Sequence, residues 1–131
     1  MTTVIVVEDD IDSMEVLCEF LQIHDLDIIG RSINGKNGIK LYSKLHPDIV
    51  IMDVMMPDYD GFHGLEGIRK IDPDAVIIMI TADLTKNTKE KLMNLNASAI
   101  LYKPNDLNKL VPTIEQFMEK KYQLNPFQIN I

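Results

Sequence analysis

Cysteine is almost absent from this chain. Cys18 is the only one in 131 residues, so no internal disulfide can form, and a reducing cytoplasm suits such a chain. Long apolar runs are also missing. The longest, such as Ala75 to Ile80, are far too short to span a bilayer, so no membrane insertion is expected. Met1-Thr2-Thr3 leads directly into a strand-like run, without a basic stretch or an apolar segment ahead of a cleavage site, which argues against export. Positive charge is scarce: 13 basic residues face 20 acidic ones, for a net charge of −7. The basic residues do not cluster in sequence beyond Glu119-Lys120-Lys121. Tracking nucleic-acid phosphates needs a positive face, so direct nucleic-acid contact is not expected, and a cation or a protein partner suits this charge better. Linkers, repeats and low-complexity tracts are lacking as well. One domain is expected over residues 1–122, with a C-terminal tail over 123–131 and no output domain, so any effect would be exerted by binding another protein.

What is present is an alternation. Five apolar runs, Thr3–Val7, Asp27–Gly30, Asp48–Met52, Ala75–Ile80 and Ser98–Tyr102, are separated by helix-like segments. That pattern predicts an α/β fold in which helices cover both faces of a five-stranded, doubly wound parallel sheet. The first, third and fourth runs are nearly continuous Val, Ile and Met, as for strands covered on both faces, whereas the second is short and flanked by Asp and Gly, as for an edge. A strand order of 2-1-3-4-5 satisfies both readings. Met14, Leu17, Cys18 and Leu21 make one helical stripe, which gives Cys18 a buried structural role. Leu107, Leu110, Val111 and Ile114 make another, extended by Phe117 and Met118. Asp10 and Asp106 are expected N-caps. Between Thr85 and Asn96 the stripe thins to Leu84, Leu92 and Leu95 with Thr88, which predicts a weakly anchored helix.

In such a sheet, ligands gather beyond the carboxyl ends of the strands, near the switch point between strands 1 and 3. Glu8-Asp9-Asp10 follow strand 1, Asp53 follows strand 3, Thr81 strand 4 and Lys103 strand 5. Taken singly, each has an ordinary reading: Glu8 and Asp9 as caps, Thr81 as a strand end, Lys103 as a solvated charge. Asp53, set between an apolar strand and Met55-Met56-Pro57, has no simple packing role. Glu8, Asp9 and Asp53 with Lys103 leave a local charge of about −2, and unit charges roughly 4 Å apart repel by about 4 kcal/mol at an effective dielectric near 20. A hard divalent cation relieves this, and oxygen ligands without Cys or His favour Mg²⁺ or Mn²⁺. His24, His46 and His63 are scattered and receive no site role.

Val6-Val7-Glu8-Asp9-Asp10, Met52-Asp53-Val54-Met55-Met56-Pro57-Asp58-Tyr59-Asp60-Gly61, Ile80-Thr81-Ala82 and Lys103-Pro104 stand in the order and spacing of known motifs. From about Thr3 to Lys121 the chain resembles the CheY-like receiver family of response regulators. The resemblance implies that Asp53 is the phosphoacceptor, with a phosphohistidine on a sensor kinase or phosphotransfer protein as donor. It implies that Glu8, Asp9, Asp53 and the Met55 backbone carbonyl form the protein's share of a magnesium shell, with Thr81 and Lys103 on the phosphoryl oxygens. It also implies a cis Lys103–Pro104 bond, and it makes Met55 and Asp83, two residues beyond Asp53 and Thr81, the positions that tune loss of the phosphoryl group.

One position departs from that family. Receivers usually carry Tyr or Phe three residues before the Lys, and here that residue is Ile100, so Tyr102 is the candidate to share the reporting role. The target would then bind around the fourth helix, fifth strand and fifth helix. Two other classes compete. One is a pseudo-receiver, an interaction module without phosphotransfer, which Ile100 alone favours. The other is a hydrolase of the flavodoxin or Asp-nucleophile phosphatase type. That second class is opposed by Met55, which is not the second acid of an Asp-x-Asp pair, and by the lack of a Ser, Thr and Gly-rich phosphate loop.

Overall fold

The computed structural model describes residues 1–123. Its elements run β1 (Thr3–Val7), α1 (Ile11–Ile23), β2 (Asp27–Ser32), α2 (Gly35–Leu45), β3 (Ile49–Asp53), α3 (Gly61–Ile71), β4 (Ile77–Thr81), α4 (Lys86–Asn94), β5 (Ala99–Tyr102), a 3-10 turn (Leu107–Lys109) and α5 (Leu110–Gln123). The strands form one sheet in the order β2-β1-β3-β4-β5, every pair parallel. This is the doubly wound α/β fold the alternation predicts. Residues beyond 123, which hold most of the expected tail, lie outside the described residues.

Side-chain alternation along the strands divides the core in two. Val4, Val6, Ile49, Ile51, Ile78, Ile80 and Leu101 face α1 and α5, meeting Met14, Cys18, Leu21, Leu110 and Ile114. Ile5, Val7, Val50, Met52, Ile77 and Met79 face the other way, toward Tyr42, Leu65, Ile68 and Leu92 of α2, α3 and α4. The β1, β3 and β4 residues that make up these faces are nearly all inaccessible, and each such side chain contributes about 1.5–3 kcal/mol on burial. Cys18, 1% exposed, is a packing residue as its stripe predicts.

Caps set where the helices begin. Asp10 accepts from the Ser13 amide at 3.0 Å, Asn34 from the Asn37 amide at 2.9 Å and Asp60 from the His63 amide at 2.9 Å. Asp106 is different and does not cap the last helix through its side chain. Its carboxylate accepts from the Tyr102 amide at 3.0 Å and pairs with Lys109, so it ties down the end of β5, and α5 proper begins only at Leu110. β2 runs two residues past its predicted end, to Ser32, because a register shift lets Gly30, Arg31 and Ser32 pair with Ile5, Val6 and Val7. Leu84, counted with the thin stripe of α4, precedes that helix and is 72% exposed. Only Thr88 and Leu92 of α4 are buried, and Lys91 lies over the Phe62 ring of α3 at 4.1 Å. Among the described residues, no helix is long and apolar enough to cross a membrane.

Candidate functional site

The carboxyl ends of β1, β3, β4 and β5 bring Glu8, Asp9, Asp53, Thr81 and Lys103 to one edge of the sheet. Lys103 sits between two acids, its ammonium 2.9 Å from Asp53 Oδ2 and 3.1 Å from Glu8 Oε1. One carboxylate oxygen each from Glu8, Asp9 and Asp53 can be chosen so that all lie within 4.8 Å of one another, close enough to hold one metal ion. Glu8 is buried and Asp53 has only 12% of its side chain exposed. The backbone braces the cluster: the Asp9 amide donates to Glu8 Oε2 at 3.1 Å, and the Met55 amide donates to Asp53 Oδ1 at 3.3 Å. Asp10 plays no part in the cluster, since its side chain caps α1.

Burial acts on these charges in opposite senses. It pushes the Glu8 carboxyl up to about 7; a hydrogen bond to Asp53 and that residue's charge push the same way, and Lys103 pulls back only in part. Burial alone would drag the Lys103 ammonium down, but Asp53 and then Glu8 outweigh it and hold the ammonium above its ordinary value. The site is thus a fixed cation between two acids, one of which is half-inclined to take a proton near neutrality.

The family model described as a response regulator receiver domain matches residues 4–115. The chain belongs to that family. Its receiver domain is 32% identical over 118 residues to protein CcdB of Bacillus subtilis, covering 90% of this chain and 98% of that protein. It is 30% identical over 122 residues to the probable C4-dicarboxylate response regulator DctR of the same organism, covering 92% of this chain but 54% of that regulator. Among solved structures, a DNA-binding response regulator of the LuxR family from Staphylococcus aureus superposes with a TM-score of 0.83 at 27% identity, covering 89% of this chain and 98% of that one. Receiver domains are signalling phosphoacceptors, and the acids gathered in this one could hold a metal ion.

The remaining candidates of the receiver domain fall into two groups. Thr81 is fully buried, and its hydroxyl oxygen accepts from the Asp83 amide at 3.0 Å. The Lys103 amide donates to the Thr81 carbonyl at 2.9 Å, which ties the ends of β4 and β5 together. Lys103–Pro104 is cis. Met55 exposes 62% of its surface beside Asp53. Ile100 packs into the core layer beneath α2, α3 and α4, whereas Tyr102 is half-buried opposite Thr81 in the strand pair. Asp83 is committed elsewhere: its carboxylate accepts from the Thr85 amide at 2.9 Å and the Thr88 hydroxyl at 2.6 Å, so it fastens the start of α4. Sequence reading missed that role, although Asp83 two residues before Thr85 is the spacing of an Asx turn.

A pH test follows from Glu8. A carboxyl raised in the fold adds stability that is fully present below its ordinary value near 4.5 and is lost as pH rises through about 7. In a chelating buffer, Glu8→Gln has no proton to lose there. Between pH of about 5 and about 8 its urea-denaturation stability should therefore fall less than the parent's, by on the order of 2–3 kcal/mol. Parallel profiles for the two proteins would contradict the raised value.

Proposed function

We propose that Asp53 accepts a phosphoryl group from a phosphohistidine on a sensor kinase or phosphotransfer protein, and that the product alters a protein-binding surface. The observation that carries this reading is the Lys103 ammonium bridging Asp53 and Glu8 inside a cluster of three acids. The cluster fits Mg²⁺ or Mn²⁺: its donors are hard carboxylate oxygens within reach of one ion, and Glu8, Asp9, Asp53 and the Met55 carbonyl would hold it. Such an ion, when bound, offsets charge on the transferring phosphoryl oxygens.

The chain's own residues account for the rest. Phosphoryl transfer asks a protein mainly for positioning and charge neutralisation. An Asp53 oxygen attacks phosphorus in line, the new O–P bond forms as the P–N bond to the donor imidazole breaks, and the imidazole leaves with a proton from its surroundings. Lys103, already 2.9 Å from Asp53, remains beside the reacting oxygens. The Thr81 hydroxyl turns to donate to a phosphoryl oxygen and gives up the Asp83 amide. Asp83 holds Thr85 and Thr88, so that movement reaches the first turn of α4, a helix in which only Thr88 and Leu92 are buried. The target then reads α4, β5 and α5, with Tyr102 in place of the missing aromatic at Ile100. Exposed Met55 lies across the approach of water and slows hydrolysis. A cytoplasmic setting completes this reading.

Incubation with acetyl phosphate and Mg²⁺, followed by intact-mass and peptide analysis, tests it. The expected result is a single phosphoryl group on Asp53, absent from Asp53→Asn, with Mg²⁺ affinity reduced more by Asp9→Asn than by Asp10→Asn. Modification at another residue, or none, overturns the proposal.

A further inference from the structure

We infer that the β2 edge and α2 form a second docking surface, one that takes an acidic polypeptide segment with apolar anchors from a partner protein. From Ile28 to Pro47 the chain contains Arg31, Lys36, Lys40 and Lys44 and no Asp or Glu, in a protein of net charge −7. α2 turns this stretch into a row. Lys36, Lys40 and Lys44 are spaced four residues apart, which stacks their side chains along one helix face as mutually repelling neighbours. Lys36 also stands in the first turn, against the positive end of the helix dipole, where a cation is unfavourable. All four cations are exposed and none forms an ion pair among the described residues; Lys36 lies over the Tyr59 ring at 5.1 Å, which leaves Arg31, Lys40 and Lys44 without a neutralising partner there. An unneutralised row of this kind costs the isolated domain stability and complements an anionic partner.

Beside the row lies a groove of about 530 Å³ that wraps the outer edge of the sheet. Met14, Ile33 and Leu41 supply apolar lining, and Arg31, Lys40 and Lys44 stand around it. Ile33 is 59% exposed. The pairing of apolar floor and cationic rim selects the occupant. A nucleic acid would meet the repulsion of a −7 protein along its whole length and has no use for the apolar lining. A lipid surface is met by convex apolar faces, and a concave strip cannot insert. A short acidic segment with Leu or Phe anchors matches both features, and its few charges interact with the row within a Debye length of roughly 8–10 Å. The sheet order places this surface at the β2 edge, opposite the β5 edge assigned to the target, so both can be occupied at once.

The test is an amide-resolved NMR titration of the full chain with a short synthetic peptide alternating Glu and Leu. Saturable shifts should appear at Arg31, Ile33, Lys40, Leu41 and Lys44, and weaken as salt is raised. The double variant K40E/K44E should lose about tenfold in affinity, equivalent to about 1.4 kcal/mol, while acetyl phosphate still labels Asp53 at the parent rate. Shifts centred elsewhere overturn the inference, as does an equal response to a Glu and Ser peptide, which lacks the anchors. Tighter binding to phosphatidylserine vesicles or to a thymidine oligonucleotide would assign the surface to a different partner and overturn it too.

Discussion

Lys103→Met is expected to slow labelling of Asp53 by acetyl phosphate on the order of a hundredfold, the loss typical when one charge-stabilising donor is removed from a reaction centre. Methionine keeps most of the stem of the side chain and removes only its ammonium, so packing around the partly buried position is largely preserved. What disappears is the cation between Asp53 and Glu8. The two carboxylates then face each other with nothing between them, and the incoming phosphoryl group adds further negative charge. Glu8, already pushed up to about 7 by burial and by Asp53, loses the one partner that pulls it back and takes up a proton at still higher pH. The variant should therefore be slow because an acid of the cluster is protonated as well as because a donor is missing. Raising the pH from about 7 to about 9 should recover part of the rate by returning Glu8 to its charged form. Intact-mass time courses at both pH values decide the matter: a rate within a few-fold of the parent's would remove Lys103 from the reaction.

Glu8, Asp53 and Lys103 could be picked out of the sequence because each follows the end of a near-continuous apolar strand, and the parallel topology then has only one edge at which to collect them. Strand interiors were legible for the same reason, since β1, β3 and β4 are buried on both faces and keep no polar alternation. The misreadings occur where a polar side chain had two possible partners. Asp106 has the spacing of a cap, yet the free amide of Tyr102 at an edge strand claims its carboxylate. Asp83 does neighbour Thr81, whose hydroxyl accepts from its amide, but its carboxylate also holds Thr85 and Thr88 at the first turn of α4, a role the sequence alone did not show. The two added residues of β2 depend on a register shift, which leaves no mark in hydrophobic pattern. The cation row of α2 escaped for a different reason. No two of its members adjoin in sequence, so a search for linear basic clusters passes over them, and only the helical period reveals the row.

Gly61→Ala should destabilise the domain by about 2–3 kcal/mol and impair phosphorylation as well, whereas Gly67→Ala on the same helix should cost less and leave phosphorylation intact. Both lie in α3, where alanine is intrinsically the better helix former by about 1 kcal/mol, so propensity alone predicts a gain at each. The surroundings separate them. A Cβ on Gly61 would strike the Asp53 carbonyl oxygen and come within 2.7 Å of the Val54 Cα, both of them backbone atoms. Those atoms are not free to retreat: the Val54 amide donates to the Ile80 carbonyl at 3.1 Å, and the Gly61 amide itself donates to the Val54 carbonyl at 2.8 Å. Relief must come from lifting the start of α3 off the end of β3. That breaks the Gly61–Val54 hydrogen bond and disturbs the backbone that sets Asp53 against Lys103. A Cβ on Gly67 would meet no backbone, only the Ile39 side chain of α2, but it would come within 2.7 Å of Cγ1 as well as striking Cδ1, so Ile39 must repack and its stiff χ1 makes that cost something. Urea denaturation of the two variants, with acetyl phosphate labelling alongside, distinguishes a local steric clash at the phosphorylation site from a general intolerance of α3 to bulk. Equal losses at Gly61 and Gly67 would show that the close approach of α3 to the Asp53 backbone is not what keeps position 61 glycine.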